Sequence, residues 1–183
     1  MSGYVTGMKV PPLGRRDLRA FARAIHGHLR YNGEGPFPIM KMLEHVLPAL
    51  YQDFEYEICS KDQLGIDHGM TYPDKHRILL REDVYEGACD GRGRDRYTVA
   101  HEISHLLLHE GLGVRLMRED VPHKAFEDSE WQANALAGEI LMPYESIVNL
   151  DVNAIASRYQ VSLAAAKTQL RATHRWRVFD GSV

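Results

Sequence analysis

The chain has 183 residues, of which 44% are hydrophobic and 26% charged, and its net charge is −3. These values are typical of one globular domain spanning residues 1–183, and they exclude attraction to nucleic acid or anionic lipid by bulk charge. No apolar run approaches the roughly 18 residues that a membrane span requires, and no secretory signal is visible. Because Cys59 and Cys89 lack a C-x-x-C spacing, we expect free thiols and a cytoplasmic location.

The first part of the chain is predicted to be helical. Residues 1–14 are punctuated by Gly and Pro and are predicted to form a poorly ordered arm. Apolar residues recur at helical spacing over 15–30, and a second helix is predicted over 38–46 after a break rich in Gly. Together these helices form an N-terminal helical region over residues 15–50.

A small sheet is predicted to follow. Alternating apolar residues over 54–59 indicate a half-buried strand, and segments 70–72 and 77–81 flank a turn at 73–75. The sheet and the helices after it form the central region 53–145. The predicted order of elements is helices, then a small and mostly antiparallel sheet, then helices. This order indicates an α+β fold.

Two helices follow the sheet in this prediction. The segment 86–93 is rich in Gly and Asp and is predicted to be a loop, and Asp95 is the candidate N-cap of the next helix, which ends before Gly111. A second helix is predicted over 127–142, where Pro143 stops it.

The C-terminal tail, 151–173, resembles a helix-turn-helix, with helices over 151–159 and 162–172 and Ser162 as a cap. Its exposed face offers mainly Lys167, Gln169 and Arg171, which are too few cations for a phosphate-binding surface. We therefore favour a packing role for the tail and expect no direct nucleic-acid binding.

The central motif is His101-Glu102-Ile103-Ser104-His105, inside a predicted helix. Residues four apart on a helix lie about 40° apart around its axis, so both imidazoles can point at one metal ion. Glu102 then lies beside any water that this ion holds, which is the arrangement of zinc metallopeptidases. The motif predicts one Zn²⁺ per chain, with His101 and His105 as ligands and Glu102 as the catalytic base.

A catalytic zinc site usually has three protein ligands, so one more must come from elsewhere. A histidine six residues after His105 is excluded, because Gly111 occupies that position. Glu130 is the best candidate, since alanines on its helix face allow close packing against the motif helix. Asn134, one turn later, is predicted to hydrogen-bond to a histidine ligand.

Two segments resemble the signature of the ImmA/IrrE-type zinc metallopeptidases. Residues 96–109, RYTVAHEISHLLLH, resemble R-F-T-x-A-H-E-x-G-H-x-x-x-H, and residues 130–143, EWQANALAGEILMP, are similar to E-x-x-A-N-x-F-A-x-x-L-L-M-P. The chain departs from this pattern at Ser104, where Gly is usual, and at Leu136, where Phe is usual. The resemblance covers about 70–174. It implies a gluzincin-like fold with Glu102 as the base and zinc held by His101, His105 and Glu130.

Several other side chains are candidates for roles at this site. His109 lies about 12 Å along the helix axis from His101, too far to bind the same ion, and is predicted to be a C-terminal cation or a hydrogen-bonding residue. Glu127 and Asp128 are alternative third ligands, and His123 is a further candidate ligand. The candidates for a transition-state donor are Tyr144, His123 and His174.

The resemblance implies an endopeptidase that cleaves a cognate helix-turn-helix (Xre-type) repressor or antitoxin of a bacterial, phage or mobile-element pair. Strand 77–81 is a candidate sheet edge that binds the substrate as an added strand. Two other classes stay open. One is a non-proteolytic metal-binding partner or toxin that binds an Xre-type regulator, and the other is a DNA-binding module that uses residues 151–172.

Overall fold

Helices surround one three-stranded sheet in a computed structural model that describes residues 7–112 and 123–179, with side chains as far as residue 173. The strands are β1 (Glu55–Cys59), β2 (Gly69–Tyr72) and β3 (Arg77–Arg81). The helical elements before and between them are α1 (Arg15–His28), α2 (Ile39–Lys41), a π-helical segment (Met42–Val46), α3 (Leu47–Leu50), α4 (Lys61–Leu64) and a 3₁₀ turn (Pro73–Lys75). The later ones are α5 (Glu82–Cys89), α6 (Gly93–His109), a 3₁₀ turn (Ala125–Glu127), α7 (Ser129–Leu141), α8 (Tyr144–Ile147), α9 (Val152–Tyr159) and α10 (Leu163–Phe179).

The α+β class is confirmed, but the sheet is mixed rather than mostly antiparallel. Its strand order is β1-β3-β2, in which β3 pairs with β2 antiparallel and with β1 parallel. The tight turn after β2 forces the antiparallel pair, whereas the longer connection through α4 lets β1 reach the far side of β3. The prediction that strand 77–81 is a sheet edge is wrong, because β3 is the central strand. The edge strand beside α6 is β2.

Helices α6 and α7 pack together through small side chains. Ala100 and Ser104 on α6 and Ala133 and Ala137 on α7 are all fully buried. Ser104 stands where the signature that the chain resembles has Gly, and its hydroxyl donates to the carbonyl oxygen of Ala100 at 2.7 Å within the same helix. The buried hydroxyl is therefore satisfied locally, and the two helices still approach closely.

Two predictions around the start of α6 are wrong. The first half of the predicted loop 86–93 instead belongs to the helix α5, which buries Val84 and Ala88 in the core. The N-cap of α6 is Arg92 rather than Asp95, which lies in the first turn and pairs with Arg92 at 3.3 Å. Gly93 is the first residue of the helix. A larger residue does not fit there, because its Cβ atom would lie 2.5 Å from the carbonyl carbon of Val161.

The two ends of the described chain also differ from the prediction. Part of the N-terminal arm is ordered, since Val10 donates a backbone hydrogen bond to Glu127 at 2.8 Å and Lys9 forms a β-bridge with Asp128. The last helix continues to Phe179, beyond the predicted end at 172. Within the described ranges, no helix has both the length and the apolar character that crossing a membrane requires.

A buried ion pair fixes α1 against α7. The guanidinium of Arg19 donates to both carboxylate oxygens of Glu139 at 3.3 Å, and the side chain of Glu139 is 1% exposed. Arg23 and Glu145 form a second pair between α1 and α8, in which the Glu145 side chain is 50% exposed. Because a buried charge without its partner is far more costly than an exposed one, only the first pair is structurally critical.

We predict that Glu139→Ala lowers the free energy of unfolding by about 3–5 kcal/mol, because it leaves the charge of Arg19 buried without its carboxylate partner. The matched variant Glu145→Ala should lower it by less than about 1 kcal/mol, since solvent screens that pair. Urea denaturation followed by circular dichroism measures both values. Equal losses in the two variants would contradict this account of the helix contact.

Candidate metal centre

Three predicted ligand residues meet between α6 and α7. The Nε2 atoms of His101 and His105 lie 3.0 Å apart. The Glu130 carboxylate reaches both, with Oε2 at 3.2 Å from His101 Nε2 and Oε1 at 3.1 Å from His105 Nε2. One ligand atom from each residue lies within 4.8 Å of the others, and each side chain is partly buried. The structure therefore brings together the two histidines of the motif and the glutamate of the second helix.

This donor set fits a divalent metal ion. Two imidazole nitrogens and one carboxylate oxygen are the ligands of many catalytic zinc sites, which keep a fourth position for water. Ligand atoms about 2.0–2.1 Å from a tetrahedral ion are separated by about 3.3 Å, close to the spacing of these three donors. His101, His105 and Glu130 can thus bind one ion with little rearrangement.

Contacts among the candidate ligand residues shift the pKa values of Glu130 and His101. The hydrogen bonds from His101 and His105 hold the pKa of Glu130 well below its usual range. Burial lowers the pKa of His101, but the hydrogen bond to Glu130 and the charge of Glu102 outweigh it, so the net shift is upward. Since a histidine must be neutral to coordinate a metal, an ion here competes with a proton on His101.

A second layer of hydrogen bonds orients His105. Its Nδ1 lies 3.0 Å from Nδ1 of His109, whose Nε2 lies 3.3 Å from Oε1 of Gln132. The amide nitrogen of Gln132 in turn donates to the carbonyl oxygens of Pro11 and Phe126, both at 2.8 Å. Burial lowers the pKa of His109 to about 4, so it is a neutral hydrogen-bonding residue rather than a helix-terminal cation. This series of hydrogen bonds holds the ring of His105 with its Nε2 atom facing Glu130.

The edge strand β2 positions Glu102. The hydroxyl of Thr71 donates to Glu102 Oε2 at 2.6 Å, and the side chain of Glu102 sits so close to Gly69 that a Cβ there would lie 2.8 Å from its Cγ. Glu102 is 7% exposed. Sequence reasoning missed Gly69 and Thr71, because nothing in their local pattern shows that β2 will lie against α6.

The other residues around Glu130 are occupied by local contacts. The side-chain nitrogen of Asn134 donates to the carbonyl oxygen of Glu130 at 2.9 Å, and Asn134 also contributes to the raised pKa of His101. Of the alternative ligands, Asp128 caps α7 by accepting from the backbone of Trp131, and Glu127 accepts from the backbone of Lys124. The Asp128 carboxylate therefore caps α7, and the Glu127 carboxylate caps the 3₁₀ turn before it.

Two of the candidate transition-state donors, His123 and Tyr144, are not brought into the ligand group. His123 lies against Asp128, with Nε2 at 3.1 Å from Oδ2. The ring of Tyr144 stacks on the guanidinium of Arg19, 3.8 Å from its central carbon. The side chain of His174 lies outside the described residues.

The tail packs onto helix α7. Tyr159 of α9 and Ala166 of α10 are fully buried. The side chain of Gln169 lies against Gly138 of α7 and donates to the carbonyl oxygen of Met142 at 3.4 Å. The α9–α10 pair thus completes the core around α7, as the packing interpretation of the tail requires.

The fold and the site define a metallopeptidase-type domain. The family model of Peptidase_M78, the IrrE N-terminal-like domain, matches residues 58–171, and the chain belongs to this family. The resemblance to the ImmA/IrrE family is therefore confirmed.

Comparison with curated proteins gives no significant match. Among solved structures, a Mycobacterium tuberculosis transcriptional regulator is similar in fold, with a TM-score of 0.58 and 14% sequence identity. The similarity covers 84% of this chain and 46% of that one. The chain therefore spans about half the length of this structural relative.

Proposed function

We propose that this protein is a zinc-dependent endopeptidase that cleaves a cognate helix-turn-helix transcriptional repressor or antitoxin. The observation that carries the proposal is the convergence of His101, His105 and Glu130 beside a buried Glu102. Membership of the Peptidase_M78 family supports peptidase chemistry. The structural likeness to a transcriptional regulator is consistent with a role in gene regulation.

In the proposed mechanism the three ligand residues bind the metal ion and Glu102 transfers the proton. His101, His105 and Glu130 would hold zinc, which when bound brings the pKa of a coordinated water near neutrality and polarises a carbonyl group. The Thr71 hydroxyl holds one oxygen of the Glu102 carboxylate and so fixes its orientation. Glu102 accepts a proton from the attacking water and passes it to the leaving amine.

The edge of β2 is the proposed place for the substrate backbone. Within the described residues β2 pairs with β3 on one side, and no strand pairs with its other side. Because Thr71 of this strand touches Glu102, a polypeptide added along β2 in extended form passes the catalytic base. We therefore propose β2, residues 69–72, as the strand with which the substrate pairs, in place of the strand 77–81 that the sequence suggested.

We predict that Glu102→Gln keeps zinc but cleaves the proposed helix-turn-helix regulator about 10²–10⁴-fold more slowly, because the amide cannot accept the proton. Zinc content is measured by mass spectrometry of the purified protein and cleavage by gel electrophoresis. Glu86→Gln, which changes an exposed glutamate of α5, is the matched control and should cleave normally.

Retained cleavage in Glu102→Gln would exclude Glu102 as the base. A stable complex between the zinc-loaded wild-type protein and an uncleaved regulator would instead favour the non-proteolytic partner or toxin.

We further predict that His109→Ala weakens zinc binding about 10–100-fold, because it removes the hydrogen bond that orients His105. Glu130→Gln should weaken it more, since a ligand is lost. Competition with a chelating dye measures the affinity. His45→Ala, which changes an exposed histidine, and Glu127→Gln, which changes a cap, should both bind zinc like the wild type. Unchanged affinity in His109→Ala would show that the His105–His109 contact does not support the site.

A further inference from the structure

A cavity of about 510 Å³ lies next to the metal centre, between α6, α7 and the start of α10. Two residues of α7, Trp131 and Asn134, line it. Trp131 follows the ligand Glu130, and the side chain of Asn134 interacts with His101 and contributes to its raised pKa. The cavity and the metal centre therefore share a wall formed by the first two turns of α7. The proposed chemistry at the metal centre makes no use of this space.

The cavity has a positive lining. Arg15 and Arg94 both line it, and no Asp or Glu is among its lining residues in the described chain. The carboxylate of Glu139 acts electrostatically on Arg15, but it is bound to Arg19. Ser162 and the first residues of α10 also line the cavity, so the positive end of that helix dipole lies at its wall.

Polar hydrogens near the cavity lack acceptors. In the described chain, Nη1 of Arg15 is shut off from solvent and has no hydrogen-bond partner. Arg94 contacts His68 through Nη2 and Nε2 at 2.8 Å, and the other ring nitrogen of His68 is likewise buried without a partner. Of these two unpaired atoms, only Nη1 of Arg15 belongs to a residue that lines the cavity. Because buried polar groups are normally satisfied, this atom points to a ligand that brings an acceptor oxygen.

The spacing along α6 relates the cavity to the metal centre. Arg94 precedes His101 by seven residues, so both lie on the same face of the helix and about 10 Å apart along its axis. An extended polypeptide covers this distance in about three residues. A chain whose scissile bond lies at the metal centre can therefore place a side chain between Arg94 and Arg15.

We propose that this cavity is a specificity subsite for the carboxylate of an aspartate or glutamate in the bound polypeptide, about three positions from the scissile bond. The proposal rests on the proposed endopeptidase function. Arg15 and Arg94 supply the charge-assisted hydrogen bonds. Trp131, whose ring lies 5.5 Å from the guanidinium carbon of Arg15, covers the aliphatic part of the side chain.

The test is a cleavage profile of the zinc-loaded full chain on a library of peptides prepared from a bacterial proteome. We expect Asp and Glu to be enriched at one fixed position, and their replacement by Asn or Gln there to lower kcat/KM about tenfold or more. Arg94→Gln and Arg15→Gln should each remove this preference. Arg16→Gln, which changes an exposed arginine outside the cavity, should keep it.

Charge reversal provides a second test that does not depend on loss of activity. Arg94 is exposed and lies in the first turn of α6, where a glutamate is compatible with the helix dipole, so Arg94→Glu should fold. This variant should favour Lys or Arg at the position where the wild type favours Asp or Glu. Cleavage without acidic preference, or a preference unchanged in all three variants, would overturn the subsite.

A binding measurement separates failure of the subsite from failure of the proposed function. The probes are two pools of fluorescent decapeptides, identical except that every glutamate in one pool is glutamine in the other. The zinc-loaded Glu102→Gln protein should bind the glutamate pool about tenfold more tightly, and adding Arg94→Gln should abolish the difference. If no library peptide is cleaved, the endopeptidase proposal fails, and equal affinity for the two pools would then also overturn the subsite.

Discussion

The close contact between α6 and α7 is the constraint on which the site depends. Small buried side chains let the two helices approach until the carboxylate of Glu130 lies 3.1–3.2 Å from the two histidines of α6. A larger residue at Ala100 or Ala133 would separate the helices by more than the site can tolerate, since a shift of about 1 Å disrupts a metal-ligand or catalytic geometry. The buried Arg19–Glu139 pair fixes α7 from its other side.

Contacts from three other parts of the chain then fix individual side chains of α6. The carbonyl groups of Pro11 in the N-terminal arm and of Phe126 in the 3₁₀ turn before α7 anchor Gln132, which reaches His105 through His109. The edge strand β2 positions Glu102 through Thr71. Glu102 directly, and His105 through His109 and Gln132, are therefore supported by groups that are distant in sequence, so this support forms only when the elements around α6 have come together. Such long-range support is how a rigid scaffold pre-organises a metal site.

The sequence predicts the local part of this arrangement and misses the long-range part. His101, Glu102 and His105 follow from helical geometry alone, and Glu130 follows from an alanine-lined face that must pack against something. Nothing local shows that β2 will be the edge strand beside Glu102 or that β1 will pair parallel to β3. The loop predicted over 86–93 shows the same limit. Gly87 lies inside α5, where the absence of a Cβ leaves room for the side chains of Asp95 and Arg92, and nothing local shows that they will pack there.

In the proposed endopeptidase, helix α6 also supplies a means of selecting among polypeptides. The helix carries the two histidines in its C-terminal half and Arg94 near its N-terminus, on one face. Because the helix is rigid, the distance between the charge and the metal centre is set by the helical rise. An extended substrate displaced by one residue moves its carboxylate by about 3.3 Å, which breaks the hydrogen bonds to the guanidinium groups. In this proposal the subsite selects both the charge and the register of the polypeptide, and Glu102 meets only the bond that this register presents.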